Sequence, residues 1–139
     1  MGLVANMGVR AVTKRLPKVS PKTHAILDYA LAGAFMATAA VLWKRHRRAA
    51  VASLICGGAQ VATSLLTDYP GGVANVISFS THRRIEMGLA GTLAAIPRIA
   101  NIEGKTASTL FRTGSLALTA VVELTAFHSE EDDLYRSAA

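Results

Sequence analysis

The phrase THAILDYALAG at residues 23–33 returns as THRRIEMGLAG at residues 81–91, and no other feature limits the fold of this chain as much. A shift of 58 residues places Thr23, His24, Leu27, Asp28, Leu31, Ala32 and Gly33 on Thr81, His82, Ile85, Glu86, Leu89, Ala90 and Gly91. The same shift carries Leu66, Thr67 and Tyr69 onto Leu124, Thr125 and Phe127. A register kept from residue 23 to residue 69 outlasts any single helix of ordinary length, so it predicts an internal duplication of a helical hairpin.

The solvent around that hairpin follows from where the polar residues fall. The chain is 51% hydrophobic and 17% charged, with a mean hydropathy of +0.34, and its polar residues are gathered into short blocks rather than spread along helical faces. Residues 25–43 are apolar except for Asp28, and as a helix they would rise about 28 Å, close to the thickness of a hydrocarbon core. Trp43 and the basic KRHRR that follows mark the exit. Residues 49–67 form a second run with Gln60 but no charge, stopped by TDYPGG, whose proline and paired glycines favour a turn. The third run, 85–96, lies between Arg84 and Arg98 and is too short to span unless both arginines snorkel or the helix begins near Ser80. The fourth, 109–127, contains Arg112 and Glu123. Duplication extends the first hairpin's membrane character to the second. The expectation is an all-α integral membrane four-helix bundle of two tandem hairpins, repeat 1 at 23–69 and repeat 2 at 81–127. An even number of helices per unit sets the pseudo-twofold axis along the membrane normal. Small residues at Ala32, Gly33, Gly57, Gly58, Ala90 and Gly91 would let the helices approach closely.

The pattern of a histidine, three residues, an acid, a small-residue helix, then Leu66-Thr67-Asp68-Tyr69 and a second histidine-initiated copy resembles the SPW-repeat family of small bacterial membrane proteins. Ile96-Pro97-Arg98 and Thr38-Ala39-Ala40 stand where that family's name-giving Ser-Pro-Trp would fall. The resemblance covers roughly residues 23–127 and implies four membrane helices from two repeats in a bacterial inner membrane. It implies no activity and no site residue.

Charge separates the remaining segments. Residues 1–22 contain no acid, and Arg10, Lys14 and Lys18 recur every four residues, which suits a basic amphipathic helix on an anionic surface. Residues 128–139 form an acidic tail holding Glu130, Glu131, Asp132 and Asp133. The net charge of +6 arises from basic residues beside apolar runs, so Lys44, Arg45, Arg47 and Arg48, with Arg10, Lys14 and Lys18, read as headgroup contacts and not as a nucleic-acid surface. Four spans put eight Lys and Arg on one side and seven on the other, which does not fix orientation. The surface helix favours cytoplasmic termini. Cys56 stands alone, which excludes an intrachain disulfide and a thiolate metal cage.

Up-down connectivity brings the starts of helices 1 and 3 and the ends of helices 2 and 4 to one membrane face. That face collects His24, Asp28, Asp68, Tyr69, His82, Glu86, Glu123 and His128. The four-residue spacing of His24 to Asp28 and of His82 to Glu86 puts each pair on one side of its helix. An acid inside a span is costly enough to demand a partner, so Asp28 and Glu86 are expected to face the bundle axis. The plain reading is that they hold the repeats together. Sharper alternatives are a metal site built on His24, His82, Asp28 and Glu86, iron in a carboxylate bundle, a haem or chlorophyll clasped by the two histidines, or a proton relay. Di-iron bundles use Glu-x-x-His, whereas here the histidine comes four residues before the acid. No nucleophile triad or phosphate loop is recognisable, which speaks against enzymatic activity. The expected role is a small structural or accessory subunit that docks with itself or with a larger membrane complex.

Overall fold

The structure is a computed structural model in which residues 18–125 are described. Arg10, Lys14, His128, most of the basic N-terminal segment and the acidic tail lie outside the described residues. Four α-helices fill the described chain: α1 (Pro21–Leu42), α2 (Arg47–Leu66), α3 (Phe79–Ile99) and α4 (Lys105–Leu124). The described residues contain no strand, only two isolated parallel bridges.

Both hairpins start with the same local chemistry. Ser20 and Ser78 sit in extended backbone, and each hydroxyl accepts from the backbone N–H three residues on, Thr23 or Thr81, at 3.2 Å. Such a cap satisfies one of the orphan donors of a helix start. The cap at Ser78 explains why α3 begins six residues before the apolar run at 85. With 21 residues it rises about 31 Å, enough to match a hydrocarbon core. Pro97 lies in its last turn, and Asn101, with φ of 47°, ends it: the N–H of Ile102 reaches the carbonyl of Pro97 at 3.0 Å, and that of Asn101 reaches Arg98 at 3.3 Å. This is the double bond of a left-handed helix stop. α4 begins at Lys105, ahead of residue 109, and stops at Leu124, short of residue 127.

The stop after Leu124 has a tertiary cause. Thr125 is extended because Val19 bridges to it, donating its N–H to the carbonyl of Leu124 at 2.8 Å. At the other junction Thr67 is extended and bridges to Ile77, whose N–H reaches the carbonyl of Leu66, also at 2.8 Å. The start of α1 is thereby tied to the end of α4, and the start of α3 to the end of α2. α1 and α3 run in the same direction, and the polar helix ends share one face of the bundle.

Packing is dense within each hairpin and lighter between hairpins. Phe35, Leu93, Phe111, Leu118 and Val122 fill the core among alanines. Only some of the small residues provide close approach. A Cβ on Gly57 would lie 3.1 Å from the carbonyl oxygen of Ala32 and 3.2 Å from the Cβ of Phe35, and one on Gly114 would lie 2.5 Å from the Phe35 ring. Gly33, Gly58 and Gly91 have nothing within 4 Å, so the expected close contacts fall on Gly57 with buried Ala32, and on Gly114. The tightest glycine lies in a turn: a Cβ on Gly72 would fall 1.7 Å from the carbonyl oxygen of Thr67. Gly72→Ala must therefore open the turn and is expected to destabilise the protein by at least about 1–3 kcal/mol, the usual cost of overpacking. Gly33→Ala should be neutral or stabilise by up to about 1 kcal/mol. Circular-dichroism melts of both variants in detergent check this contrast.

Candidate functional site

Two turns of α1 and two of α3 carry ionisable side chains into the interior. His24, Asp28, His82 and Glu86 are each 0–1% exposed, which for two acids and two imidazoles is affordable only with specific partners. Asp28 and Glu86 both lie about 10 Å along their helices, reckoned at the α-helical rise. The side chains converge on one point. Nε2 of His24 is 2.9 Å from Oε2 of Glu86 and 3.4 Å from Oδ1 of Asp28. Nε2 of His82 is 3.2 Å from Oδ2 of Asp28 and 3.2 Å from Oε2 of Glu86. The two Nε2 atoms are 3.4 Å apart. Each acid thus meets the histidine of its own helix and that of the other hairpin.

The other ring nitrogens are held by the helix ends. Nδ1 of His24 is 2.7 Å from the hydroxyl of Thr125, and Nδ1 of His82 is 2.7 Å from the hydroxyl of Thr67. Each hydroxyl also donates to the carbonyl four residues back, Val121 or Thr63, at 2.6 Å. A hydroxyl has one proton. With that proton on the carbonyl, the oxygen must accept from Nδ1–H, and this fixes the tautomer of both rings. Each Nε2 then directs its lone pair, or an acquired proton, at the acids.

Partners for the acids come mainly from α2 and the turn after it. Gln60 donates from Nε2 to Oε1 of Glu86 at 2.8 Å. Tyr69 donates to Oδ2 of Asp28 at 2.9 Å, and Ser64 is 3.4 Å from the same oxygen. Burial raises the Tyr69 phenol above its ordinary range, so it remains a proton donor. Phe79 covers the mouth, with its ring centroid 5.4 Å from that of His24 and 5.6 Å from that of Tyr69. Oε1 of Gln60 is buried without a hydrogen-bond partner.

Of the eight residues the sequence assigns to this face, the structure joins His24, Asp28, Tyr69, His82 and Glu86. Asp68 is exposed after α2, and Glu123 is exposed on α4, where it pairs with Arg83 at 3.7 Å; His128 lies outside the described residues. With both outer acids at the surface, a di-iron carboxylate site loses half of its acid ligands. A porphyrin held by both histidines does not fit either. Two axial bonds of about 2 Å would set the nitrogens about 4 Å apart with a clear plane between them, whereas here they are 3.4 Å apart and flanked by Asp28 and Glu86. Sequence reading missed the roles of Thr67, Thr125, Gln60 and Ser64. The two threonines were legible as an identical pair 58 residues apart, and Gln60 as the one amide in an uncharged run.

Among the other sequence-assigned residues, Lys18, Lys44, Arg45, Arg47 and Arg48 are exposed, and Arg47 stacks 4.1 Å over the Trp43 ring. Comparison with protein-family models, curated proteins and solved structures returns no match. Thr67→Val and Thr125→Val keep the side-chain shape but leave a buried Nδ1–H without an acceptor, so each should cost about 1–3 kcal/mol. Thermal melts of the two variants should show similar losses, and nitrogen-15 spectra of the wild-type histidines should report the proton on Nδ1.

Proposed function

We propose that this chain is an integral membrane protein whose four helices, a duplicated hairpin about a pseudo-twofold axis along the membrane normal, all cross the bilayer. In this reading it acts as a small structural or accessory subunit that docks with itself or with a larger membrane complex. The observation that carries it is an inversion of polarity. His24, Asp28, Gln60, Ser64, Thr67, His82 and Glu86 are buried, while Ile26, Val41, Ile55 and Leu116 are 60–78% exposed. In water that arrangement is costly on both counts, whereas in lipid it is the expected one. α1 and α2 are each long and apolar enough to cross a membrane. For α3 and α4 the support is their length of 21 and 20 residues, with Arg83, Arg98, Lys105 and Glu123 near their ends.

The duplication is supported by matched contacts. Ser20 and Ser78, Val19 and Ile77, His24 and His82, and Thr67 and Thr125 make the same bonds at positions 58 apart. On this proposal the chain resembles the SPW-repeat family and would lie in a bacterial inner membrane with its termini on the cytoplasmic side. At the opposite end, exposed Lys44, Arg45, Arg47, Arg48, Arg98 and Lys105 would meet anionic headgroups. At the polar end, the four-residue cluster clamps the two hairpins together.

Carbonate-washed membranes should retain the protein, and release into the supernatant would refute membrane integration. Replacing Glu86 by Ala leaves both imidazoles short of an acid and should cost about 3–5 kcal/mol; Asp28→Ala with Glu86→Ala should abolish a cooperative melt in detergent. A double variant that melts at the wild-type temperature would remove the clamp. Capture from native membranes in mild detergent should yield a homo-oligomer or a stoichiometric second membrane protein, and a lone monomer would end the accessory-subunit reading.

A further inference from the structure

We infer that His24, Asp28, His82 and Glu86 form a four-coordinate site for one divalent first-row transition metal ion of the zinc type. The inference deepens the clamp reading, because the ion would be what the two hairpins share. Three independent features of the site support it.

The first is the direction of the lone pairs. Each Thr hydroxyl gives its proton to its own helix carbonyl, so it fixes hydrogen on Nδ1 and leaves Nε2 as the donor atom of the neutral ring. Two such nitrogens 3.4 Å apart, both aimed at carboxylate oxygens, place four sets of lone pairs around one point. An Nε2 lone pair facing a carboxylate oxygen is repelled by it, and a cation between them, a metal ion or a proton on Nε2, turns the contact attractive; a metal ion at the centre does so for all four residues at once. A metal-bound histidine ordinarily donates its second N–H to an oxygen, which is what Thr67 and Thr125 receive here.

The second is size. Zinc bonds of about 2.0–2.1 Å in a tetrahedron give ligand-to-ligand edges of about 3.3 Å. Nε2 of His24, Nε2 of His82 and Oε2 of Glu86 form a triangle with edges of 2.9, 3.2 and 3.4 Å, Asp28 adds Oδ2 at 3.2 Å from His82 or Oδ1 at 3.4 Å from His24, and one donor atom from each residue lies within 4.8 Å of the other three. The third is the surrounding shell. Tyr69 and Gln60 bond the carboxylate oxygens, as outer partners of metal-bound acids do. The Gln60 amide touches Glu86 while its Oε1 stays buried without a protein partner, a polar acceptor left over at the edge of the site. Two imidazoles suit zinc, iron or cobalt rather than magnesium or calcium, and enclosure by four ligands with no exposed position suits a structural ion.

The test uses the full chain in detergent, stripped with chelator, and Co(II) as the spectroscopic probe. Titration should develop the intense visible absorption of four-coordinate cobalt, saturating near one equivalent and bleached by added Zn(II). Zn(II) should also raise the melting temperature. Thr67→Val retains all four ligands and should bind Co(II) about 10–100-fold more weakly. His82→Gln should lose the band, with Thr67→Val serving in its place if that variant fails to fold. Absence of a visible band together with an unchanged melt in Zn(II) would overturn the metal site. If Asp28→Ala with Glu86→Ala still abolishes the melt under those conditions, the clamp stands on charge pairing alone, so the two readings fail separately. A band unchanged in Thr67→Val and in His82→Gln would place cobalt elsewhere and equally refute the site.

Discussion

A threonine at the end of a helix has one hydroxyl proton and two oxygen lone pairs, and much of this molecule follows from how they are divided. Thr67 and Thr125 give the proton to their own helices and receive one from an imidazole. That division fixes the rotamer and tautomer of His82 and His24 and turns both Nε2 atoms inward. It also requires each helix to end one residue before its threonine, in extended backbone, where the bridges from Ile77 and Val19 hold it. Chain direction, helix length and the chemistry of the interior therefore meet at the same two side chains.

The cost of burying four ionisable groups is set against very little else. Few aromatics are present, and the buried apolar side chains are largely alanine, with Phe35, Leu93, Phe111, Leu118 and Val122 as the main bulk. If the bundle stands in lipid, as proposed, apolar packing between helices would provide only weak association, and interior hydrogen bonds and close backbone contacts would be the specific terms. Gly57 against the Ala32 carbonyl is one such contact, and the hydroxyl of Ser115 on the Ala90 carbonyl at 2.8 Å occupies the matching place in the other hairpin. The polar cluster adds what these cannot: a contact that is satisfied in only one pairing of the hairpins.

Four helices, their directions and the convergence of His24, Asp28, His82 and Glu86 were legible because each rests on local spacing. Histidine and acid four residues apart share a helix face whatever surrounds them, and the offset of 58 said which faces would match. Helix limits were less legible. The apolar run at 85–96 understated α3, because hydropathy does not register the Ser78 cap that holds its first turn and counts Arg83 and Arg84 of its second turn against a span. Asp68 and Glu123 were grouped with the cluster because their helix ends share its face, although each is exposed in the structure. The glycines misled for a related reason: composition marks a helix as able to pack closely, but only neighbours decide which side does so, and Gly33, Gly58 and Gly91 turn away.

Two copies of one polypeptide, each carrying one hairpin, would have to contribute the same residues to both sides of the centre. One continuous chain is released from that rule. Asp28 faces Glu86, one methylene longer, and Gln60 and Ser64 occupy places whose counterparts on α4 are Leu118 and Val122. The polar dressing of both acids is consequently supplied from one flank, leaving greasy side chains on the other. Whatever charge rests between the imidazoles experiences a gradient across the bundle, so the centre has a front and a back that perfect symmetry would forbid.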